Sequence, residues 1–498
     1  VADTLVAGTL RVPSAEAPVI KSSVQRQQAE AWTPTPMPNL SDLQNAVGGA
    51  RLAKCGDSFD NAAPLGRVVI DSRQVESGDV FWGLRGDRSD GSDFAEEAFA
   101  RGAAGAVVSK PVRAPEGCWT LVVEDTLHAL QAWAAWHRQR FTGAVIGVTG
   151  SVGKTTCRQM IQTILSSKYR GTCSPRNYNN HIGLPLSMLQ MEPDHDFVVL
   201  EMGASGPGEI ARLAALCRPT IGVITHVGDA HLGGFGSRRQ IADAKAELLD
   251  ALPADGYAVL GEDPWLVRLR DRSAASTVMV GRGGDCDLIA KEVVLGQGTL
   301  SYIVRDVSFE VPVWGRHHLT AAMAATAVGL RLGCTLQETA DALRTFRSVP
   351  MRCEVIQVRS ATIINDTYNA SPTSMLAALE LVRDFDTRGR RIVVLGDMQE
   401  LGDEAIAMHR QLGSQTVSRC GADLLIACGE YAAHVVAGAR EAGLPAGRSL
   451  VCRQPEETLS HLGQSILPGD VVLVKGSRAL GMERIVEAMQ TYPQRRAA

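Results

Sequence analysis

A chain of 498 residues, 45% of them hydrophobic, is long enough for about two to four packed domains. Its 50 Lys and Arg against 54 Asp and Glu leave a net charge of −4, which excludes a broad electrostatic surface for nucleic acid, so any basic groups that meet anions are clustered locally. Eleven cysteines without metal-ligand spacing, no apolar run of membrane-spanning length, and an opening decapeptide without the features of a signal peptide predict a reducing, cytoplasmic setting with no membrane span.

Residues 1–36 carry Pro13, Pro18, Pro34 and Pro36 among mixed polar residues with little periodicity, the pattern of a disordered extension. Residues 37–123 read as a small domain. Leu40, Leu43 and Val47 lie at helical spacing, Val68-Val69-Ile70 and Val80-Phe81-Trp82 are short strands, and a helix over 94–101 leads to the strand Ala106-Val107-Val108. The polar segments at 71–79 and 85–91 read as turns on composition alone.

Residues 124–347 form the segment around which the chain is organised. The apolar run at 144–148 predicts a buried strand. After it comes the loop Thr149-Gly150-Ser151-Val152-Gly153-Lys154-Thr155-Thr156, and Cys157, Met160, Ile161, Ile164 and Leu165 then mark a helix beginning near Lys154. A glycine loop between a strand and a helix N-terminus offers free backbone N–H groups and a favourable dipole to a phosphate. Lys154 would reach the outer phosphates and the Thr155 hydroxyl would ligate Mg²⁺. The strict phosphate-loop pattern asks for glycine where Val148 stands, so the fit is to the variant Thr-Gly-x-x-Gly-Lys-Thr. The amide-rich run 177–183, containing Asn179, Asn180 and His181, reads as a ligand loop or a capping turn. Buried strands at 197–200 and 221–225 end in Glu201 and in His226, with Asp229 and His231 close behind, and the carboxyl ends of strands are where open α/β sheets place ligands. A glycine turn at 233–236 precedes a helix at 239–252 that holds Asp243, Lys245 and Glu247. Residues 348–498 alternate apolar strands at 392–395, 424–427 and 471–474 with helices, which implies a parallel sheet covered on both faces.

Further residues carry a family likeness. Alongside the phosphate loop stand Asn177-Tyr178-Asn179-Asn180-His181-Ile182-Gly183, Glu201-Met202-Gly203-Ala204, Ala244-Lys245-Ala246-Glu247, Asn365-Asp366-Thr367-Tyr368-Asn369, Gly396-Asp397-Met398-Gln399-Glu400-Leu401-Gly402 and Val474-Lys475-Gly476-Ser477-Arg478. With these the chain resembles the Mur ligases of peptidoglycan synthesis from residue 37 onward. The resemblance implies an α/β fold of three domains: a sugar-nucleotide-binding domain at 37–123, a central parallel-sheet phosphate-loop ATPase domain at 124–347, and a Rossmann-like domain at 348–498. It implies ATP and Mg²⁺ as cofactors and amide formation through an acyl phosphate. Within the family the 201–204, 396–402 and 475–478 stretches point to the member that joins D-Ala-D-Ala to UDP-MurNAc-tripeptide, acting as a monomer. The alternatives are a Mur ligase adding a single amino acid, or a ligase like folylpolyglutamate synthase. A guanine-reading switch protein is disfavoured, because its Asn-Lys-x-Asp stretch is missing.

By the same resemblance, Thr155 and Glu201 hold one Mg²⁺, and Glu201 and His231 a second. Lys154 steadies the transferring phosphoryl group, and His318, Arg352 and Asp366 meet the nucleotide. Ser72 and Arg73 face the UDP end, while Asn179, Asn180, Tyr368, Asn369 and Lys475 face the substrates. Lys245 is either a carbamate that ligates Mg²⁺ or a solvated ammonium paired with Asp243 or Glu247. Two positions depart from the family pattern: Ala321 stands where an Asn lies near the adenine, and Met351 replaces the glycine of Pro-Gly-Arg, which predicts a stiffer hinge.

Overall fold

The computed structural model describes residues 37–54, 61–358 and 360–491. The extension expected over 1–36 lies outside them. Three sheets follow one another along the chain, as the α/β reading anticipates.

The first sheet has the order Arg51–Lys54, Trp119–Val122, Gly105–Val108, Val80–Trp82, Val68–Val69. Its first pair is antiparallel and the others are parallel. The helix Leu40–Val47 starts at a reciprocal capping box between Asn39 and Asp42, which satisfies two otherwise free N–H groups. The helix Thr126–Arg140, capped by the Asp125 carboxylate, brings Leu130 and Trp133 onto Leu40, Leu43, Trp82 and Trp119. The Trp82 indole N–H donates to the Thr126 carbonyl at 2.7 Å, so the ring is buried with its polar end satisfied.

The central sheet has nine strands. From Ser276–Gly281 it runs through Tyr257–Gly261, Ile221–Ile224, Ala144–Thr149 and Phe197–Glu201 to Gly171–Cys173, all parallel. Leu288–Leu295, Leu300–Val304 and Val307–Val311 extend the far side, the last two in antiparallel pairing. Ala144–Thr149 is flanked by Phe197–Glu201 on one side and Ile221–Ile224 on the other. The chain therefore reverses its direction of travel across the sheet at this strand, which opens a crevice at its carboxyl end. One face is sealed by the helices Lys154–Ser166 and His318–Arg331, whose Ile161, Ile164, Met323 and Val328 share a core with Val148 and Val223. Truncating such a side chain to alanine costs about 2–5 kcal/mol. The opposite face is filled from the helix Arg238–Asp250 by Ile241, Leu248 and Leu249.

The third sheet runs Glu354–Val358, Ala361–Asp366, Val471–Lys475, Arg391–Gly396, Leu424–Cys428, Ser449–Cys452, with only its first pair antiparallel. Asp366 and Lys475 are register partners at the carboxyl ends of neighbouring parallel strands. Among the described residues no helix is long and apolar enough to cross a membrane.

Candidate active site

The phosphate-loop segment folds as its glycines require. Gly150 has φ +147° and Gly153 φ +82°, and a Cβ at Gly150 would meet Thr225 Oγ1 at 2.0 Å. The loop is pinned from the next strand end. The Thr225 hydroxyl donates to the Val152 carbonyl at 2.6 Å, the Ser151 N–H donates to the His226 carbonyl at 2.8 Å, and the Gly228 N–H donates to Ser151 Oγ at 2.9 Å. Thr225 and Gly228 carried no motif signal, since their role is set by the sheet order rather than by the sequence around them. The Lys154 ammonium folds back to donate to the Gly150 carbonyl at 2.7 Å, and burial pulls its pKa down despite the nearby Glu201 carboxylate.

Glu201 is buried at the end of its strand. Its Oε1 accepts from Asn179 Nδ2 at 2.9 Å, while among the described residues Oε2 has no hydrogen-bond partner and Arg158 Nε lies 3.9 Å away. An orphaned carboxylate oxygen in a buried site is what a hard cation with oxygen ligands would satisfy, so the residues present fit Mg²⁺. The neighbouring Asn180 behaves differently: its Oδ1 accepts from the N–H groups of Ile182 and Gly183, closing a turn just before the short helix Gly183–Met188.

Lys245 is buried on the face that looks toward the loop. Neither Asp243 nor Glu247 pairs with it. Asp243 lies near Arg239 and Arg272, and Glu247 accepts from the N–H groups of Gly208 and Ala211. Its ammonium approaches the Phe235 ring at 5.9 Å, and burial, reinforced by the Lys154 charge, lowers its pKa to about 7. The solvated-lysine alternative is therefore contradicted by the structure.

His231, at φ 59°, meets the Glu400 carboxylate of the third domain, and the Gly233 N–H donates to the Glu400 carbonyl at 2.9 Å. His231 is thus turned toward an interdomain partner. The contribution of Glu400 lay hidden in the Gly-Asp-Met-Gln-Glu stretch, where a single exposed carboxylate has no distinctive spacing.

Arg352 crosses from the third domain. Its Nη2 donates to Thr155 Oγ1 at 2.9 Å, its guanidinium lies 4.0 Å from the Tyr368 ring centroid, and its Nε is buried without a partner. Behind it Lys475 Nζ donates to Asp366 Oδ2 at 2.6 Å and to the Asn369 carbonyl at 2.9 Å, and the Cys353 N–H donates to Asp366 Oδ1 at 3.2 Å. Lys475 and Asn369, expected to face substrate, are here engaged with the Asp366 network. His318 is buried at the start of its helix.

In the first domain the Ser72 hydroxyl donates to Glu97 at 2.7 Å and Arg73 pairs with Asp71. A cleft of about 560 Å³ opens beside them, between the first and central domains. Arg67, Arg140, Arg176, Trp133, His137 and Tyr178 line it, with Asp71 and Gln74. These cations and rings come from three separate segments, so no local motif announced them. Burial lowers the His137 pKa to about 4, which leaves that ring neutral among the guanidinium groups.

The arrangement matches known proteins along most of its length. Residues 65–135 match the catalytic domain of the Mur ligase family, residues 148–329 the Mur ligase middle domain, and residues 351–478 the Mur ligase glutamate ligase domain. A relative from Bacillus subtilis named UDP-N-acetylmuramoyl-tripeptide--D-alanyl-D-alanine ligase is 36% identical over 431 residues, spanning 86% of this chain and 93% of its own. The chain belongs to the Mur ligase family. Among solved Mur ligases, MurF from Acinetobacter baumannii superposes with a TM-score of 0.81 at 29% identity, covering 92% of this chain and all of its own. MurF from Thermotoga maritima in complex with ADP gives 0.75 at 29% identity, covering 87% and 99%. The ligase thus has the three-domain α/β architecture of these Mur ligases.

Proposed function

We propose that this Mur ligase joins D-Ala-D-Ala to the terminal carboxylate of UDP-MurNAc-tripeptide, using ATP and releasing ADP and phosphate. The observation that carries the reading is the Arg352–Thr155 bond, which brings the third domain onto a phosphate loop beside an incompletely partnered Glu201. The names of the relatives supply the substrate pair, and the ADP-bound relative supports nucleotide binding.

A carboxylate is a poor acylating agent, so the reaction needs an activated carbonyl. The substrate carboxylate oxygen attacks the γ-phosphorus of ATP and ADP leaves. The dipeptide amine then attacks the acyl phosphate carbon, loses a proton, and expels phosphate. The protein's part is alignment, charge neutralisation and exclusion of water. Lys154 and the loop N–H groups hold the outer phosphates, and Arg352, with one free buried N–H, receives negative charge from the other side. Thr155, Glu201 and Lys245 as its carbamate would hold Mg²⁺, which supplies charge neutralisation on the phosphate oxygens. His231 stands as a further candidate ligand once its bond to Glu400 opens. The cleft with Arg67, Arg140 and Arg176 suits the diphosphate of the sugar nucleotide, and Trp133 and Tyr178 suit its rings.

The test is product mass from ATP, Mg²⁺, UDP-MurNAc-tripeptide and a panel of amino acids and D,D-dipeptides. D-Ala-D-Ala should give the pentapeptide product, with phosphate released only when both substrates are present. Preferred use of a single amino acid would assign the chain to another member of the family.

A further inference from the structure

Away from the phosphate loop, three soft donors meet where the central domain joins the third. His317 and His318 begin the helix His318–Arg331, and Cys353 directly follows Arg352. One ligand atom from each lies within 4.8 Å of the others, with His317 at the surface and His318 and Cys353 buried beneath it. His317 Nε2 is 3.7 Å from Cys353 Sγ, and the two imidazole centroids are 4.1 Å apart. A tetrahedral zinc site, with Zn–N of about 2.0–2.1 Å and Zn–S of about 2.3 Å, has ligand-to-ligand edges of about 3.3–3.6 Å. The His317–Cys353 edge is already near that length, and the remaining gap is within reach of small side-chain rotations. Cys353 is held at φ 49°, a conformation that is uncommon and costly for a residue with a Cβ, and its N–H is tied to Asp366.

We propose that His317, His318 and Cys353 form a binding site for a borderline-soft divalent cation, with Zn²⁺ as the reference ion, that ties the central domain to the third and restrains the hinge between them. The donor set is two nitrogens and one sulfur. It favours zinc-like ions over the hard Mg²⁺ of the phosphate site, and the exposed His317 provides the route in. Each imidazole contributes a lone pair, the Cys353 thiol gives its proton to solvent, and water completes the fourth position. The functional consequence runs through Arg352: fixing the next residue to the central domain hinders the opening that exchanges nucleotide. The binding site does not depend on which amino acid or dipeptide the ligase adds.

The experiment uses the full chain in excess Mg²⁺. Co²⁺ serves as a spectroscopic probe and Zn²⁺ is measured by equilibrium dialysis. The expected result is one tight equivalent of metal with a thiolate-to-cobalt charge-transfer band. Cys353→Ser should lose that band. His317→Gln, at an exposed position where folding is not at stake, should weaken binding at least as much as the about 10–100-fold seen when a supporting residue of a metal site is replaced. In turnover assays Zn²⁺ should slow the wild type more than His317→Gln. A charge-transfer band that persists in Cys353→Ser, or metal binding unchanged in His317→Gln, overturns the site. Equal Zn²⁺ inhibition of wild type and His317→Gln overturns the hinge restraint.

Discussion

The Arg352 guanidinium of the third domain donates to the Thr155 hydroxyl of the phosphate loop at 2.9 Å. The same side chain rests over Tyr368 and keeps its Nε buried without an acceptor. A planar cation held on an aromatic face, with one donor unsatisfied, is preorganised for an anionic oxygen. Arg352→Ala should therefore lower kcat by about 10²–10³-fold, the loss typical of removing one such donor. Arg352→Lys should recover little of it, because an ammonium cannot both stack and reach two acceptors. Steady-state kinetics in ATP check this. Wild-type kcat in Arg352→Lys would refute the claim that fork geometry matters.

Lys154 makes a single hydrogen bond to the loop carbonyl of Gly150. Replacing it leaves the backbone cradle standing, since Thr225, Ser151 and Gly228 hold the loop independently. Lys154→Ala should abolish substrate-dependent phosphate release with little change in Tm. Paired thermal melts and phosphate assays decide it, and full phosphate release by the variant would remove Lys154 from the reaction.

The strand, loop and helix around Lys154 were legible from spacing because strand periodicity, glycine placement and helix periodicity agree over one short window. The helix begins at Lys154 as the apolar spacing predicts. The strands Arg51–Lys54 and Trp119–Val122 were not legible. Each is four residues long, and the first owes its place to pairing with the second, a contact remote in sequence. Among candidate site residues, those that sit in a local motif are the ones the sequence could name. Glu400, Thr225 and the cleft arginines were not among them, because sheet order and domain approach bring them in. Asn180 and Lys475, marked by motif membership, have local partners in the fold: Asn180 accepts from the Gly183 N–H and Lys475 pairs with Asp366.

Lys475 and Asp366 are both buried and joined at 2.6 Å. Removing one partner strands the other charge in a poorly solvated place, at a cost of about 3–5 kcal/mol. Lys475→Met should lose stability of that order, and the double variant Asp366→Asn with Lys475→Met should regain much of it. Denaturant melts of wild type, Asp366→Asn, Lys475→Met and the double variant give the coupling. Ligase activity separates the roles: the double variant should fold and still use ATP poorly if Asp366 also meets the nucleotide. A double variant no more stable than Lys475→Met would show that the pair is not coupled.

Lys245 gives a prediction with a definite sign in pH. Its pKa falls from 10.5 in the free side chain to about 7 in the fold, because burial and then Lys154 disfavour the ammonium. As pH falls from 10.5 toward 7, the unfolded chain takes up a proton that the folded chain refuses, so stability is lost across this window and levels off below it. In CO₂-depleted buffer Lys245→Met should gain stability relative to wild type as pH is lowered through the window, and the gain should become constant below about pH 7. A difference that does not vary with pH would mean that Lys245 is not a buried amine. The same lowered pKa keeps much of the amine neutral near pH 7, and a neutral amine can add to CO₂, lose a proton and become an anionic carbamate. That change turns a cation lying beside Lys154 into an oxygen ligand suited to Mg²⁺. Bicarbonate should therefore raise the activity of CO₂-depleted wild type. Lys245→Ala should be inactive, and short carboxylic acids should restore part of its activity by standing in for the carbamate. Full activity of Lys245→Ala without any added acid would exclude the carbamate.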